Sequence, residues 1–262
     1  MSQIDPRAIV SPRARLGSDV RIEAFAVVGD EVELGDGCVV HSHAMVHGPS
    51  RFGRGSVFHS FSSVGGDPQD LTYTGERAEL IAGDKNIFHE YATINRGTAK
   101  GGRATRIGHH NLFMAYSHVG HDCQIGDHTV FINGATLAGH VIVEDYATIG
   151  AFCPVHQFCR IGQHAYIAAC TVITQDVLPF AKVVAPRETR TFGLNSIGLE
   201  RRGYSKERIA AIEKAYRILF RSKLNTTQAL EQMRTLGAAS ADVQELVAFI
   251  EASLGSERGI TK

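Results

Sequence analysis

The sequence predicts a mainly β protein, a parallel β-helix of six-residue repeats followed by a C-terminal α-helical domain. Three observations support this prediction. Apolar residues recur at every sixth position over two long stretches, a small residue follows four places after most of them, and beyond about Pro186 the apolar spacing becomes that of helices. A period of six fits neither an amphipathic helix nor a half-exposed strand.

The repeat is clearest when the chain is read in steps of six. The apolar positions of the first stretch are Val10, Leu16, Ile22, Val28, Leu34, Val40, Val46, Phe52, Phe58 and Val64. After a bridge of Ala82, Phe88 and Ile94, the second stretch comprises Ile107, Phe113, Val119, Ile125, Phe131, Leu137, Val143, Ile149, Val155, Ile161, Ile167 and Ile173. Such a repeat predicts stacked coils about 4.8 Å apart, the spacing of strands in a sheet. Neighbouring coils then stabilise one another.

The small position of the repeat explains most of the cysteines. Four of the five occupy it, and the chain has no CxxC pair and no zinc-like spacing; these four are Cys38, Cys123, Cys153 and Cys159. We interpret them as small buried apolar residues. Glycine often follows the apolar position directly, as at Gly17, Gly35, Gly126 and Gly162, and we expect these glycines to adopt positive φ at corners.

Two polar, glycine-rich segments interrupt the period, at about residues 65–80 and 97–106. We interpret them as loops that leave the coil, and long loops on a rigid scaffold are candidates for function. The predicted domains are residues 1–186, the β-helix with its two loops, and residues 187–262, the helical domain.

Three helices are expected in the C-terminal domain, because apolar residues there follow a helical spacing. Ser205 caps the first, Thr226 or Thr227 opens the second, and Ser240 begins the third.

Composition excludes several classes of protein. Lys+Arg and Asp+Glu each number 27, so the formal net charge is +0. A balanced charge argues against nucleic acid or an anionic membrane as a bulk electrostatic partner. No run approaches the roughly 18 apolar residues of a membrane span. The N-terminal residues show no secretory signal, so we expect a cytoplasmic protein.

Chemistry is expected where the repeat gathers histidines. The segment SHVGHDC contains His118, His121 and Asp122, while His140 and His156 follow one and two coils later if a coil holds eighteen residues. Imidazole titrates near neutral pH and suits general base catalysis. A zinc site formed by His118, His121 and His140 is the alternative, although the spacing does not demand a metal.

These residues carry a specific resemblance. HVGHDC, LAGH, VHQFC, INRGT, RRGY and the loop sequence PQDLTYTGE occur in an order that closely resembles the UDP-N-acetylglucosamine acyltransferases, over nearly the whole chain. The resemblance implies a left-handed β-helix with three hexads per coil. It also implies transfer of an R-3-hydroxyacyl chain from acyl carrier protein to the 3-hydroxyl of UDP-N-acetylglucosamine, the first step of lipid A synthesis, with no metal and no organic cofactor.

The resemblance also implies the role of each site residue. His121 is the general base, Asp122 orients it, and the backbone N–H of Gly139 stabilises the oxyanion. The sugar is held by Gln69, Asp70, His118, His140 and Gln157, whereas four further residues approach the nucleotide or the phosphopantetheine: His156, Asn195, Arg201 and Arg202. Ala169 limits the length of the acyl chain. The family forms trimers with sites between subunits, and we expect Phe113, Met114 and Phe131 to contribute apolar contacts near the site.

Four positions depart from the best-known members of the family. Those members have Lys where this chain has Thr72, His where it has Asn95, Glu where it has Ile197 and Gly where it has Ala169. The departure at Thr72 leaves open N-acylation of a 3-amino analogue of the same sugar nucleotide. Two further alternatives are a metal-dependent hydratase on the same fold and a non-catalytic protein that only binds acyl carrier protein.

Overall fold

A computed structural model describes residues 2–184, 190–255 and 259–260 of the chain, and the predicted domain boundary at 186/187 lies outside these residues. The strands are β1 Gln3–Ile4, β2 Ile9–Val10, β3 Arg15–Leu16, β4 Arg21–Ile22, β5 Val27–Val28, β6 Val32–Leu34, β7 Val39–Val40, β8 Met45–Val46, β9 Ser50–Phe52, β10 Val57–Phe58, β11 Ser63–Gly66, β12 Glu79–Ala82, β13 Ile87–Phe88, β14 Thr93–Asn95, β15 Ala104–Ile107, β16 Leu112–Phe113, β17 His118–Val119, β18 Gln124–Ile125, β19 Val130–Phe131, β20 Thr136–Leu137, β21 Ile142–Val143, β22 Thr148–Ile149, β23 Pro154–Val155, β24 Arg160–Ile161, β25 Tyr166–Ile167, β26 Ala181–Val184 and β27 Arg190–Leu194. The helices are α1 Ser196–Arg201, α2 Lys206–Arg221, α3 Thr226–Gly237 and α4 Ala241–Leu254.

Successive strands fall in turn on three sheets, which form the faces of a parallel β-helix. Sheet A has the order β1-β4-β7-β10-β13-β16-β19-β22-β25-β26-β27, sheet B runs from β2 to β23, and sheet C from β3 to β24, each in steps of three strands. Paired residues such as His118 and Thr136 are eighteen positions apart. The three hexads per coil that the resemblance implied are therefore confirmed.

The spacing between paired residues exceeds eighteen positions where the two loops are inserted. Both leave at the end of a sheet B strand and return on sheet C, so they lie on the B–C edge, where those two sheets meet. The first joins β11 to β12 and the second joins β14 to β15. His121 and Asp122 lie between β17 and β18 on the same edge. In three consecutive coils, the first loop, the second loop and the candidate base therefore lie one above another on this edge.

The interior of the β-helix is apolar, because the position that recurs every six residues points inward. Phe58, Phe88, Phe113 and Phe131 form a continuous stack of fully buried rings, with centroids 5.2, 5.1 and 4.8 Å apart. The expectation that Phe113 and Phe131 contribute to a subunit interface was therefore wrong, since both side chains fill the core. Cys38, Cys123, Cys153 and Cys159 are buried, as predicted.

The glycines after the apolar position serve close packing, and the expectation of positive φ there was wrong. A Cβ at Gly17 would lie 2.5 Å from Oδ1 of Asp36, and one at Gly35 would lie 2.6 Å from the amide nitrogen of Arg54, both in the next coil. Positive φ instead occurs two residues later, at residues such as Asp19 and His128.

The C-terminal helices begin where capping residues satisfy their first amide groups. Ser205 and Ser240 cap α2 and α4, as predicted, and α3 begins at Thr226, one of the two threonines expected to open it, with Asn225 as its cap. The short α1 was not expected. The Tyr216 hydroxyl donates to the carbonyl oxygen of Pro179 at 2.7 Å, which ties α2 to the last coil. Among the described helices, none is long and apolar enough to cross a bilayer.

Candidate active site

His121 and Asp122 form the centre of the site on the B–C edge. His121 Nδ1 lies 2.8 Å from Oδ2 of Asp122, and the Asp122 side chain is completely buried. Since a carboxylate can only accept a hydrogen bond, this contact places a proton on Nδ1 and leaves the Nε2 lone pair free. Neighbouring residues thereby create an oriented imidazole that can accept a proton.

The second loop holds the Asp122 carboxylate in place. Thr98 donates from its backbone N–H to Oδ1 at 2.8 Å and from its hydroxyl to Oδ2 at 2.7 Å. The Asp122 amide donates to the hydroxyl of Thr105 at 2.8 Å. Thr98 is the last residue of the INRGT motif, and no role was predicted for it.

Two further histidines flank His121. His118 shares a hydrogen bond of 2.8 Å between its Nδ1 and the hydroxyl of Thr93, and burial together with the charge of His121 lowers its pKa. His140 meets the ring of His121 edge-on, with centroids 5.1 Å apart. Burial lowers the pKa of His140 and the charge of His121 adds to this, while Asp122 opposes it. In the neutral form that these lowered pKa values favour, His118 and His140 can each donate and accept a hydrogen bond.

Gly139 lies directly above His121 in the next coil, as the eighteen-residue period predicted. A Cβ at this position would lie 2.6 Å from Cε1 and 2.7 Å from Nε2 of His121, so only glycine fits without displacing the ring. The Gly139 N–H donates to no acceptor among the described residues.

A cavity of about 470 Å³ opens beside the base. Its lining includes the predicted residues Gln69, His118, His121, Gly139, His156 and Gln157. It extends along the outer surface of sheet B past Thr136, Pro154 and Val172, which succeed one another at intervals of eighteen residues. The site is therefore open to a long, narrow ligand that runs along the axis of the β-helix.

The first loop brings Asp70 to this edge. Hydrogen bonds from the backbone and hydroxyl of Thr72 lower the pKa of Asp70, and the charges of His121 and Lys100 add to the effect. Asn95 also lines the cavity, and its Nδ2 donates to the carbonyl oxygen of Asp67 at 2.7 Å, which fixes the start of the loop.

Four predicted residues lie elsewhere in the single chain. Asn195 caps α1 and donates to the carbonyl oxygen of His164, while the Arg202 guanidinium lies 4.5 Å from the ring centroid of Tyr146. Both partners belong to the C–A edge, a different edge of the β-helix. Arg201 is exposed at the end of α1, and Ala169 is exposed on the A–B edge. None of the four lines the cavity beside His121.

Most of the remaining histidines form columns of stacked rings that have no part in this site. On the C–A edge, His110, His128, Tyr146 and His164 follow one another with ring centroids 4.8 to 4.9 Å apart. The high histidine count therefore reflects repeated corner positions as well as chemistry.

The zinc alternative predicted three histidine ligands, and the structure groups different donors. Possible ligand atoms of His121, Asp122 and His140 lie within 4.8 Å of one another, whereas His118 is bound to Thr93. The Asp122 carboxylate in this group already accepts hydrogen bonds from Thr98 and His121. The donor set thus differs from the three-histidine zinc site that the alternative required.

A β-helix of hexads with a histidine–carboxylate pair beside a long cleft defines the class of hexapeptide-repeat acyltransferases. The family described as bacterial transferase hexapeptide (six repeats) matches residues 13–48 and 104–139, and the family described as Udp N-acetylglucosamine O-acyltransferase, domain 2, matches residues 176–261.

Relatives extend the match to the full chain. The chain is 54% identical over 262 residues, all of both chains, to the acyl-[acyl-carrier-protein]–UDP-N-acetylglucosamine O-acyltransferase of Alkalilimnicola ehrlichii, and 49% identical over 95% of each chain to that of Stenotrophomonas maltophilia. The solved structure of LpxA from Acinetobacter baumannii superposes with a TM-score of 0.94 at 35% identity, covering 100% of both chains. The chain belongs to the UDP-N-acetylglucosamine O-acyltransferase family, and its β-helix is left-handed.

Proposed function

We propose that this acyltransferase moves an R-3-hydroxyacyl group from acyl carrier protein to the 3-hydroxyl of UDP-N-acetylglucosamine, the first step of lipid A synthesis. The names of its full-length relatives support the two substrates. The observation that carries the reaction is the His121–Asp122 pair, whose free Nε2 lies beside Gly139 at an open cavity.

The geometry supports a general base mechanism. Nε2 of His121 takes the proton of the 3-hydroxyl as that oxygen attacks the thioester carbonyl carbon. The Gly139 N–H donates to the oxyanion of the tetrahedral intermediate. The intermediate collapses by breaking the C–S bond, and the imidazolium returns the proton to the departing thiolate. Asp122 stabilises the imidazolium between these two proton transfers.

Mass spectrometry of the product tests the reaction. Purified protein given UDP-N-acetylglucosamine and a mixed pool of acyl carrier protein thioesters is expected to yield a mono-O-acylated sugar nucleotide. General base catalysis contributes about 100- to 10,000-fold, so His121→Ala should lose activity on that scale while remaining folded. A product formed only from the 3-amino analogue would contradict O-acylation, and a His121→Ala variant with more than about a tenth of wild-type turnover would contradict the assignment of the base.

We also propose that the enzyme is a homotrimer whose sites lie between subunits. The distribution of residues supports this, because Asn195 and Arg202 contact the C–A edge of the β-helix, which lacks the base. The A–B edge also exposes a ladder of stacked aromatic rings, including Phe61, Tyr91 and Tyr116, with centroids 5.4 and 4.9 Å apart. An exposed apolar stripe of this kind favours association.

Mixed trimers test the shared site. The His121→Ala subunit keeps Arg201 and Arg202, whereas a subunit with Arg201→Ala and Arg202→Ala keeps His121. If a site takes its base from one subunit and its arginines from the next, random mixing of equal amounts regenerates a wild-type site at roughly a quarter of positions. Light scattering should report three times the 28.4 kDa chain mass. Activity that never exceeds the sum of the two parents would contradict sharing.

We further propose a cytoplasmic location. The five cysteines, all within the described part of the chain, form no disulfide, which suits a reducing compartment. Activity recovered with the periplasmic rather than the cytoplasmic fraction of cells would contradict this placement.

A further inference from the structure

The cavity beside His121 lacks a cation of its own. Among the described residues that line it, none is a lysine or an arginine. The proposed acceptor carries a diphosphate, and proteins bind phosphate oxygens most strongly through charged donors. A positively charged group close to the cavity is therefore the feature to look for in this protomer.

Arg96 is close, but both of its terminal guanidinium nitrogens are already engaged. The side chain is buried, and Nη1 donates to the carbonyl oxygens of Gly48 and Gly65 at 2.9 and 2.8 Å. Its Nη2 pairs with Asp67. Arg96 therefore fixes the path of the first loop and is not free to bind a ligand.

Lys100 is differently placed. It belongs to the turn that begins at Thr98, whose backbone and hydroxyl hold the Asp122 carboxylate. The next residue, Gly101, is so close to Asp122 that a Cβ there would collide with the carboxylate. The backbone on both sides of Lys100 is thus anchored to the catalytic pair, while its side chain extends toward the first loop.

The ammonium group of Lys100 lies at the contact between the two loops. Nζ donates to the hydroxyl of Thr72 at 2.7 Å, and that hydroxyl contacts Asp70 Oδ2 at 2.9 Å. Lys100 and His121 both contribute to lowering the pKa of Asp70, so the three side chains share one electrostatic environment. One hydrogen bond to a neutral hydroxyl leaves an ammonium group with two further donors.

We propose that Lys100 binds the diphosphate of the sugar nucleotide, as the cation that this protomer supplies to the site. The inference rests on the proposed function, since it assumes a sugar-nucleotide acceptor. Anchoring through Thr98 and Gly101 keeps the charge at a fixed distance from the base. Binding energy from the phosphates then helps to orient the 3-hydroxyl toward His121.

Calorimetric titration with UDP-N-acetylglucosamine, UDP and uridine tests the proposal on the full-length protein. Loss of a charge-assisted hydrogen bond should make Lys100→Met bind the first two ligands about 10- to 100-fold more weakly. Its affinity for uridine should not change, because uridine lacks phosphate. Lys100→Arg should retain most of the affinity. The matched control is Lys85→Met, which removes an exposed lysine on the C–A edge.

A second variant separates phosphate binding from a purely structural contact between the loops. Thr72→Val removes the hydroxyl that Lys100 contacts and keeps the charge, so it should bind UDP like the wild type. Loss of UDP affinity in Thr72→Val equal to that in Lys100→Met would overturn the proposal, because the contact alone would then matter. Wild-type affinity of Lys100→Met for UDP would also overturn it. Wild-type protein that fails to bind UDP-N-acetylglucosamine would instead overturn the proposed function.

Discussion

Replacing Gly139 by alanine should disable the base by steric displacement. The added Cβ would lie 2.6 Å from Cε1 and 2.7 Å from Nε2 of His121. Carbon atoms in ordinary contact are about 3.5–4.0 Å apart, so the imidazole must retreat by about 1 Å. Asp122 resists this movement because it is buried and fixed by Thr98. A misplacement of about 1 Å can cost about 100-fold in rate, and we expect kcat to fall by that order.

The backbone conformation at Gly139 allows alanine, so the steric effect of the added Cβ can be measured by itself. The φ of Gly139 lies outside the left-handed region that favours glycine, so alanine introduces no backbone strain there. Gly193→Ala is the matched control, since an added Cβ at Gly193 meets nothing within 4 Å. The control should retain wild-type turnover, and both variants should remain folded in circular dichroism and thermal melts.

A double variant tests whether the displaced ring is the cause. Turnover is measured for Gly139→Ala, His121→Ala and the combination with the same thioester donor. In the His121→Ala background the Cβ has no ring to displace, so the second substitution should cost little more. If Gly139→Ala still lowers turnover about 100-fold in that background, the steric explanation is refuted. A direct effect on the Gly139 N–H would then explain the loss.

Four further predictions follow from individual side chains. Thr98→Val should lower kcat about 10- to 100-fold with little change in KM, because it removes one hydrogen bond to the buried Asp122 carboxylate; unchanged kinetics would contradict the positioning role. Burial lowers the pKa of His164 to about 4, so the neutral imidazole stabilises the fold above the unfolded-state pKa of about 6.5, and this stability is lost as pH falls through 4. In thermal melts between pH 6.5 and 4, His164→Phe should therefore lose about 3 kcal/mol less stability than the wild type. Burial and the neighbouring carboxylates raise the pKa of Glu245 to about 7, so stability is lost as pH rises from about 4.5 through 7, and Glu245→Gln should raise Tm more at pH 8 than at pH 5. Ala169→Gly should shift relative kcat/KM toward longer 3-hydroxyacyl donors and Ala169→Met toward shorter ones, by the roughly 1–3 kcal/mol that a pocket discriminates per methylene. If both variants rank the donors alike, the end of the acyl chain must lie elsewhere.

The prediction for Ala169 depends on the course of the cavity along sheet B. Thr136, Pro154 and Val172 lead from the coil of His118 to a coil three turns higher, a rise of roughly 14 Å at the strand spacing. Ala169 precedes Val172 by three residues and faces the A–B edge. An acyl chain that follows this surface away from the base would end near Ala169, where one methyl group changes the space available.

Much of the fold could be predicted from the sequence because a coil repeats every eighteen residues. Within an uninterrupted stretch, positions eighteen apart are neighbours in space, which correctly placed Gly139 above His121. The same arithmetic explains the histidine columns: His128 and His164 are two coils apart on the C–A edge, whereas His121 and His140 face each other on the B–C edge. Sorting the histidines by position within the coil would have separated stacking residues from site residues.

The arithmetic fails where the loops are inserted, and the missed residues lie there. The pairing of Thr93 with His118 spans twenty-five residues because of the second loop. No periodic rule therefore places Thr98 against Asp122 or Lys100 against Thr72. These contacts depend on the path of an irregular backbone, which local sequence preferences do not determine. The helix α1 was missed because six residues carry too little periodicity.

The position of the insertions explains why the proposed chemistry falls on this edge. A regular β-helix presents the same short corner at each coil and has no walls that could enclose a substrate. Two successive coils depart from this pattern at the B–C edge, and the following coil places His121 and Asp122 above them. The rigid coils fix the base relative to Gly139, while the loops supply Asp70 and Lys100 and the hydrogen bonds to Asp122. A shortened second loop should therefore impair kcat through Thr98 and acceptor affinity through Lys100, whereas Thr98→Val and Lys100→Met should each impair only one.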